Sequence, residues 1–174
     1  MTDAINHECG IALVRLLKPL EYYQLKYGTW KYGINKLYLL MEKQHNRGQD
    51  GAGIASIKLD LKPGMPYVHR ERSVKQAAIN DVFKALRKHF IKFDADRIDD
   101  PLWAKENLPF AAELLLGHLR YGTYGNNDIE RVHPVMRLNN WKTRNLLLAG
   151  NFNLTNVDEL FHILEGQRPA ACLR

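Results

Sequence analysis

Cysteine is scarce in this sequence. Its 174 residues contain two, Cys9 and Cys172, one near each end, which cannot make a disulfide framework. No apolar run approaches the roughly 18–20 residues of a membrane span. The first residues, Met-Thr-Asp-Ala-Ile-Asn-His-Glu, have neither the basic region nor the apolar stretch of a secretory signal. There is no internal repeat, no Gly-x-Gly-x-x-Gly after a predicted strand and no P-loop, so the common nucleotide-cradling loops are excluded. A composition 45% hydrophobic and 25% charged excludes collagen, low-complexity polymer and highly charged disordered chain. What remains is one soluble domain large enough to bury about 70% of its unfolded surface without disulfides or metal. A cytoplasmic location is expected, and no membrane partner.

The formal charge is +6, and residues 15–47 carry most of it, with seven basic against two acidic side chains. Tyr22, Tyr23, Tyr27, Trp30 and Tyr32 are interleaved with those cations. Nucleic-acid surfaces share that texture. No zinc-finger, helix-turn-helix or RNA-binding signature accompanies it, so a solvated face is the preferred reading and nucleic acid is not expected as a partner.

Residues 11–17 read as a buried first strand, followed by a loop rich in Tyr, Gly and Lys. Ile34, Leu37, Tyr38 and Met41 recur at helical spacing, and that helix stops near Asn46-Arg47-Gly48. Residues 51–61 alternate as a strand, Pro63-Gly64 turns, and residues 67–72 return as its hairpin partner. Between 74 and 108 the pattern predicts one or two helices and a solvated acidic connection. Strands are predicted again over 113–121, 135–138 and 144–149. Thr155, with Asp158 three residues later, is placed to cap a last helix whose face is Val157, Leu160, Phe161 and Leu164, before Gly166. Strands and helices do not alternate strictly, which predicts antiparallel sheets with helices outside them.

Four blocks stand at the ends of these strands. Cys9-Gly10 precedes the first strand. Asn46-Arg47-Gly48-Gln49-Asp50-Gly51-Ala52-Gly53 closes a tight, glycine-rich backbone around an Arg. Gly117-His118-Leu119-Arg120-Tyr121-Gly122-Thr123-Tyr124-Gly125 ends a strand in a glycine-punctuated loop. Gly150-Asn151-Phe152-Asn153-Leu154-Thr155-Asn156 leaves a strand and enters a helix. Cys, Arg and Asn at strand ends are what acyl transfer needs: a nucleophile, a carboxylate anchor and an oxyanion donor. His118, His133 and His162 lie on different predicted elements without ligand spacing, so they are read as neutral, satisfied residues, and no metal or cofactor is expected. Cys172, in a terminal Ala-Ala-Cys-Leu-Arg, is read as inert.

Together the four blocks resemble the glutaminase domain of the class II glutamine amidotransferases, which are N-terminal nucleophile (Ntn) hydrolases. The form Arg-Gly-Gln-Asp-Gly-Ala-Gly is most like the amidophosphoribosyltransferase branch, which serves purine synthesis. The resemblance runs in order from Cys9 to about Gly166. It implies an α+β fold: an Ntn-hydrolase-type sandwich of two antiparallel β-sheets flanked by helices, here C-terminally incomplete. It also implies glutamine as substrate, with Cys9 as nucleophile and its free α-amine as base. An α-amine has an ordinary pKa of about 8 and can accept and return a proton near neutrality, whereas a peptide nitrogen cannot. Residues 1–8 are accordingly expected to be a propeptide, and 9–174 the amidotransferase domain.

By the same resemblance Arg120 holds the α-carboxylate of glutamine, a bidentate task for a guanidinium fork. Thr123 offers a hydroxyl to the substrate, and Tyr124 stands where His is frequent. Asn151 donates to the oxyanion, and the backbone N–H of Phe152 is the second donor, where the family normally has Gly. Gly150 replaces the usual His before that Asn, and Arg47 lies beside the nucleophile. The family's Asp for the α-ammonium has no counterpart after Glu165. The phosphoribosyltransferase domain, through which phosphoribosyl diphosphate would be met, is absent as well. The chain is therefore expected to be part of a longer, homo-oligomeric enzyme. A non-catalytic module of the same fold, or an amidotransferase with another synthase domain, would share many of these residues.

Overall fold

The computed structural model describes residues 8–122, 128–151 and 155–166. Strands β1 (Gly10–Arg15), β2 (Gly51–Ile57), β3 (Val68–Ser73) and β4 (Leu114–Arg120) form one sheet in the order β1-β4-β2-β3, every neighbour antiparallel. A second, two-stranded antiparallel sheet pairs β5 (Val135–Arg137) with β6 (Leu146–Leu148). The helices are α1 (Leu20–Tyr27), α2 (Tyr32–Lys43), α3 (Ala78–Lys88), α4 (Ala95–Ile98), α5 (Pro101–Asn107) and α6 (Val157–Gly166). The expected antiparallel sheets with helices outside them are present.

Alternation along the strands sorts side chains onto two faces. On one face Leu115 and Leu119 join Leu37 and Met41 of α2 in the main core. There α2 packs against β1 and β4, and α3 against β2 and β3. On the other face Leu13, Ala55, Leu116 and Leu147 line a small cavity, so the second sheet lies over this side. The segment entering β5 comes down so closely that a Cβ on Gly53 would stand 2.1 Å from the His133 carbonyl oxygen. Only glycine fits there, and β2 is buried along nearly its whole length as a result.

Three differences from the sequence pattern have physical causes. The segment expected as a Tyr-rich loop contains α1. Pro19 precedes it, Gly28 ends it at φ +71°, and Leu20 and Tyr23 supply a narrow buried stripe. Its rings pack on one another, Tyr23 on Tyr32 at 5.2 Å and Tyr27 on Tyr32 at 4.4 Å, with Lys26 and Lys36 each 5.3 Å from a ring centre. The acidic connection is also helical. Asp100 accepts from the N–H groups of Leu102 and Trp103 to start α5 behind Pro101, and buried Ala104 and Leu108 tie that helix to the core. Finally, α6 starts one residue later than a Thr155 cap requires. Asn156 precedes it, with its carbonyl accepting from Leu160 and its side chain reaching Glu159.

At the far end of the main sheet lies a buried charged cluster. Lys58 is 2% exposed and donates from Nζ to the Lys105 carbonyl at 2.8 Å. Lys105 pairs with Glu113 at 2.5 Å, and the other Glu113 oxygen accepts from Leu59 N–H. Burial pushes the Lys58 ammonium down to about 8.

Gly53→Ala tests the close approach of the His133 segment to the sheet. It should destabilise the chain by about 2 kcal/mol or more in denaturant unfolding, because a backbone carbonyl has to move rather than a side-chain tip.

Candidate active site

The end of the sheet where β1 begins and β4 finishes gathers three of the four blocks. Gly10 pairs with Leu119 and Gly51 with Arg120, so Cys9, Arg120 and Gly51 share that rim. The Cys9 thiol is half-buried, its sulfur 3.5 Å from the Tyr121 N–H. Arg120 is 6% exposed. A guanidinium held there is a fixed charge at low dielectric, the setting in which an Arg discriminates for a carboxylate.

The glycine-rich block is laid against the end of β4 by backbone contact. A Cβ on Gly48 would stand 2.7 Å from the Leu119 carbonyl group, so the close approach requires glycine. Asp50 N–H donates to the Arg120 carbonyl at 3.0 Å, and the Asp50 carboxylate accepts from Gly122 N–H at 2.7 Å. Asp50 therefore ties the two loops together on either side of Tyr121. No role for Asp50 follows from its block alone; the signal in the sequence is an acid set between Gly48 and Gly51. Gln44, at the end of α2, donates to the Ile11 carbonyl and steadies β1 just beyond the cysteine. Arg47 is exposed on the turn after α2, its guanidinium outside these contacts. A cavity of about 200 Å³ opens beside the same loop, lined by Glu42, His45, Gln49, Gln76 and Asn80 among others.

The fourth block arrives from the second sheet. Gly150 follows β6, and His118 Nε2 lies 3.3 Å from its carbonyl oxygen. His133 Nδ1 is 3.0 Å from the same oxygen, and the two imidazole centres are 4.8 Å apart. Since His118 pairs with Ile11, two residues after Cys9, the peptide before Asn151 is held at the same end of the sheet. Asn151 itself is exposed. Thr123, Tyr124, Phe152 and Cys172 lie outside the described residues, as do residues 1–7. The two histidines, expected as separate and satisfied, are neighbours, and the buried Nδ1 of His118 has no hydrogen-bond partner among the described residues. Burial first, then the proximity of His133, pushes His118 down to about 4.

No family model matches the chain. An amidophosphoribosyltransferase of Lacticaseibacillus casei is 26% identical over 165 residues, which is 94% of this chain and 63% of that protein. The resemblance is to amidophosphoribosyltransferase. This chain spans under two thirds of that relative's length. Among solved structures, the glutamine phosphoribosylpyrophosphate amidotransferase of B. subtilis, complexed with ADP and GMP, superposes over 91% of this chain and 25% of its own. The TM-score is 0.51 at 22% identity. A structure described as the allosteric regulatory enzyme of purine biosynthesis gives the same TM-score and identity over 92% of this chain and 26% of its own. The chain shares its fold with both solved structures, and its sequence resembles amidophosphoribosyltransferase, as the four blocks implied.

Two outcomes follow for this end of the sheet. Asp50→Ala removes a charge-assisted hydrogen bond and frees the 121–122 turn; unfolding should show a loss of about 2 kcal/mol. His118 stays neutral in the fold while the unfolded chain takes up a proton near pH 6.5. Stability therefore falls as pH drops through 6.5 toward 4. His118→Gln should remove about 3 kcal/mol of that acid-linked loss, measured by comparing unfolding at pH 7 and pH 4.

Proposed function

We propose that this chain is the glutamine-hydrolysing part of an amidophosphoribosyltransferase-like enzyme. The observation that carries it is the convergence of the half-buried Cys9 thiol, the buried Arg120 and the tethered Asn151 segment on one sheet end. Cys9 attacks the side-chain amide carbon of glutamine, and the sulfur–carbon bond forms as the carbonyl oxygen takes the negative charge. Collapse expels the amide nitrogen, protonated by the base that took the thiol proton, as ammonia. Water then attacks the γ-glutamyl thioester, releasing glutamate and restoring the thiol. In the longer enzyme the ammonia passes to a phosphoribosyl acceptor. The complete two-sheet Ntn sandwich and a homo-oligomeric state belong to the same proposal.

Arg120 binds the α-carboxylate, with Arg47 and Thr123 contributing at the substrate side. The Asn151 amide and the Phe152 N–H receive the oxyanion. Donors set in advance where charge develops strengthen in the transition state at no reorganisation cost. The base is the α-amine of Cys9, so the active form has lost residues 1–8. The exposure of Glu8 supports access for that cleavage.

The test is chemical labelling of the processed protein with a glutamine-like diazo-ketone. Modification should fall on Cys9 and spare Cys172, and equal labelling of both would contradict an activated nucleophile. Arg120→Lys keeps the charge and loses the fork, so glutamine capture should fall sharply while an ammonia-dependent reaction of the full enzyme survives. Asn151→Ala should lower glutaminase turnover by about 10²–10³-fold with little change in glutamine binding.

A further inference from the structure

The His118 and His133 rings meet at the carbonyl oxygen of Gly150, at the end of the second sheet. His118 occupies a strand position whose neighbours Leu114 and Leu116 on the same face are apolar. An imidazole there is 2% exposed and makes a single hydrogen bond with the described residues, to the Gly150 carbonyl, while its Nδ1 is left without a partner. Burying a polar ring for one bond is costly unless that bond is needed. His133 meets the same residue: its Nδ1 is 3.0 Å from the Gly150 oxygen and 3.3 Å from the Gly150 nitrogen. Two imidazoles from different parts of the chain thus converge on one peptide. That peptide is a glycine, which has no side chain to fix its own dihedral angles. Its immediate successor is Asn151.

We infer that His118 and His133 form a clamp on the Gly150 peptide that aims the Asn151 amide at the oxyanion, making both histidines positioning residues for glutamine hydrolysis. This rests on the glutaminase reading above and adds to it the part that holds the oxyanion donor still. His118 Nε2 donates to the carbonyl, which has a second lone pair for His133, and the Gly150–Asn151 peptide is then held from both rings; alternatively His133 Nδ1 accepts from the Gly150 N–H, so that His118 holds the Gly150–Asn151 peptide and His133 the Ala149–Gly150 peptide. An error of about 1 Å in a donor costs about 10²-fold in rate, so a clamp one residue away from the donor acts on turnover.

The experiment compares two neutral amides at position 118 in the full chain processed to Cys9. In His118→Gln the amide nitrogen reaches the place of Nε2; in His118→Asn it falls short by one methylene. Both remove the titrating ring and both keep a polar side chain, so their effects on folding should be close, as thermal unfolding will register. The Gln variant should hold glutaminase kcat within about threefold of the parent. The Asn variant should lose about 10–100-fold in kcat, with KM for glutamine changed less than about twofold. Equal kcat in the parent and both variants, or equal losses in both that track their unfolding temperatures, would overturn the clamp and leave the glutaminase reading intact. A parent protein without any glutaminase turnover would overturn that reading, and the clamp with it.

Discussion

Strand β4 is hydrogen-bonded along both edges, to β1 over Gly10–Arg15 and to β2 over Gly51–Ile57. Its register with those neighbours sets where Cys9, Gly51 and Arg120 stand relative to one another, and the sheet is sealed by α2 and α3 on one face. A slip of one residue would exchange the faces of β4 and turn Arg120 and His118 into the helical core. The apolar residues Leu115 and Leu119, buried against α2, forbid that slip. The placing of Cys9, Gly51 and Arg120 at this rim is therefore a consequence of packing at the middle of the sheet.

The two ends of that sheet use polarity differently. At the end near Leu114, Lys58, Lys105 and Glu113 form a closed group in which the hydrogen-bonding partners are other members or adjacent backbone. Such a buried group contributes little net stability over apolar packing, but removing one member leaves a stranded charge. At the Cys9 end the polar groups instead meet backbone of loops: Asp50 on Gly122, Gln44 on Ile11, and the two histidines on Gly150. Loops fixed in this way can present side chains to a small substrate without being part of the core.

Much of this was legible in the sequence, where local pattern and tertiary environment agree. The apolar run 11–17 and the alternation over 51–61 disclosed β1 and β2, although β1 is not buried throughout, since Ile11 and Leu13 are exposed on its second face; the four blocks disclosed the rim because each adjoins a strand end. Helix α1 was not legible from apolar periodicity, since Leu20 and Tyr23 are its buried residues and the aromatic rings beside them also suit a loop; Pro19 and Gly28 marked its ends. The buried Lys58 looked like an ordinary solvent-facing residue in an alternating strand until Glu113 and Lys105, about fifty residues away, closed around it. Likewise nothing local to His118 or His133 announces that both reach Gly150. Links made across the sheet have no signature in either segment alone.

The proposed glutamyl transfer to an N-terminal Cys9 thiol is open to intact-mass measurement with peptide mapping of the active protein, quenched in acid during glutamine turnover. The expected species is a chain that begins at Cys9 and carries one γ-glutamyl adduct, mapped to that residue and disappearing as glutamate accumulates. Turnover by a chain that still bears residues 1–8, or an adduct found on any other residue, would contradict it.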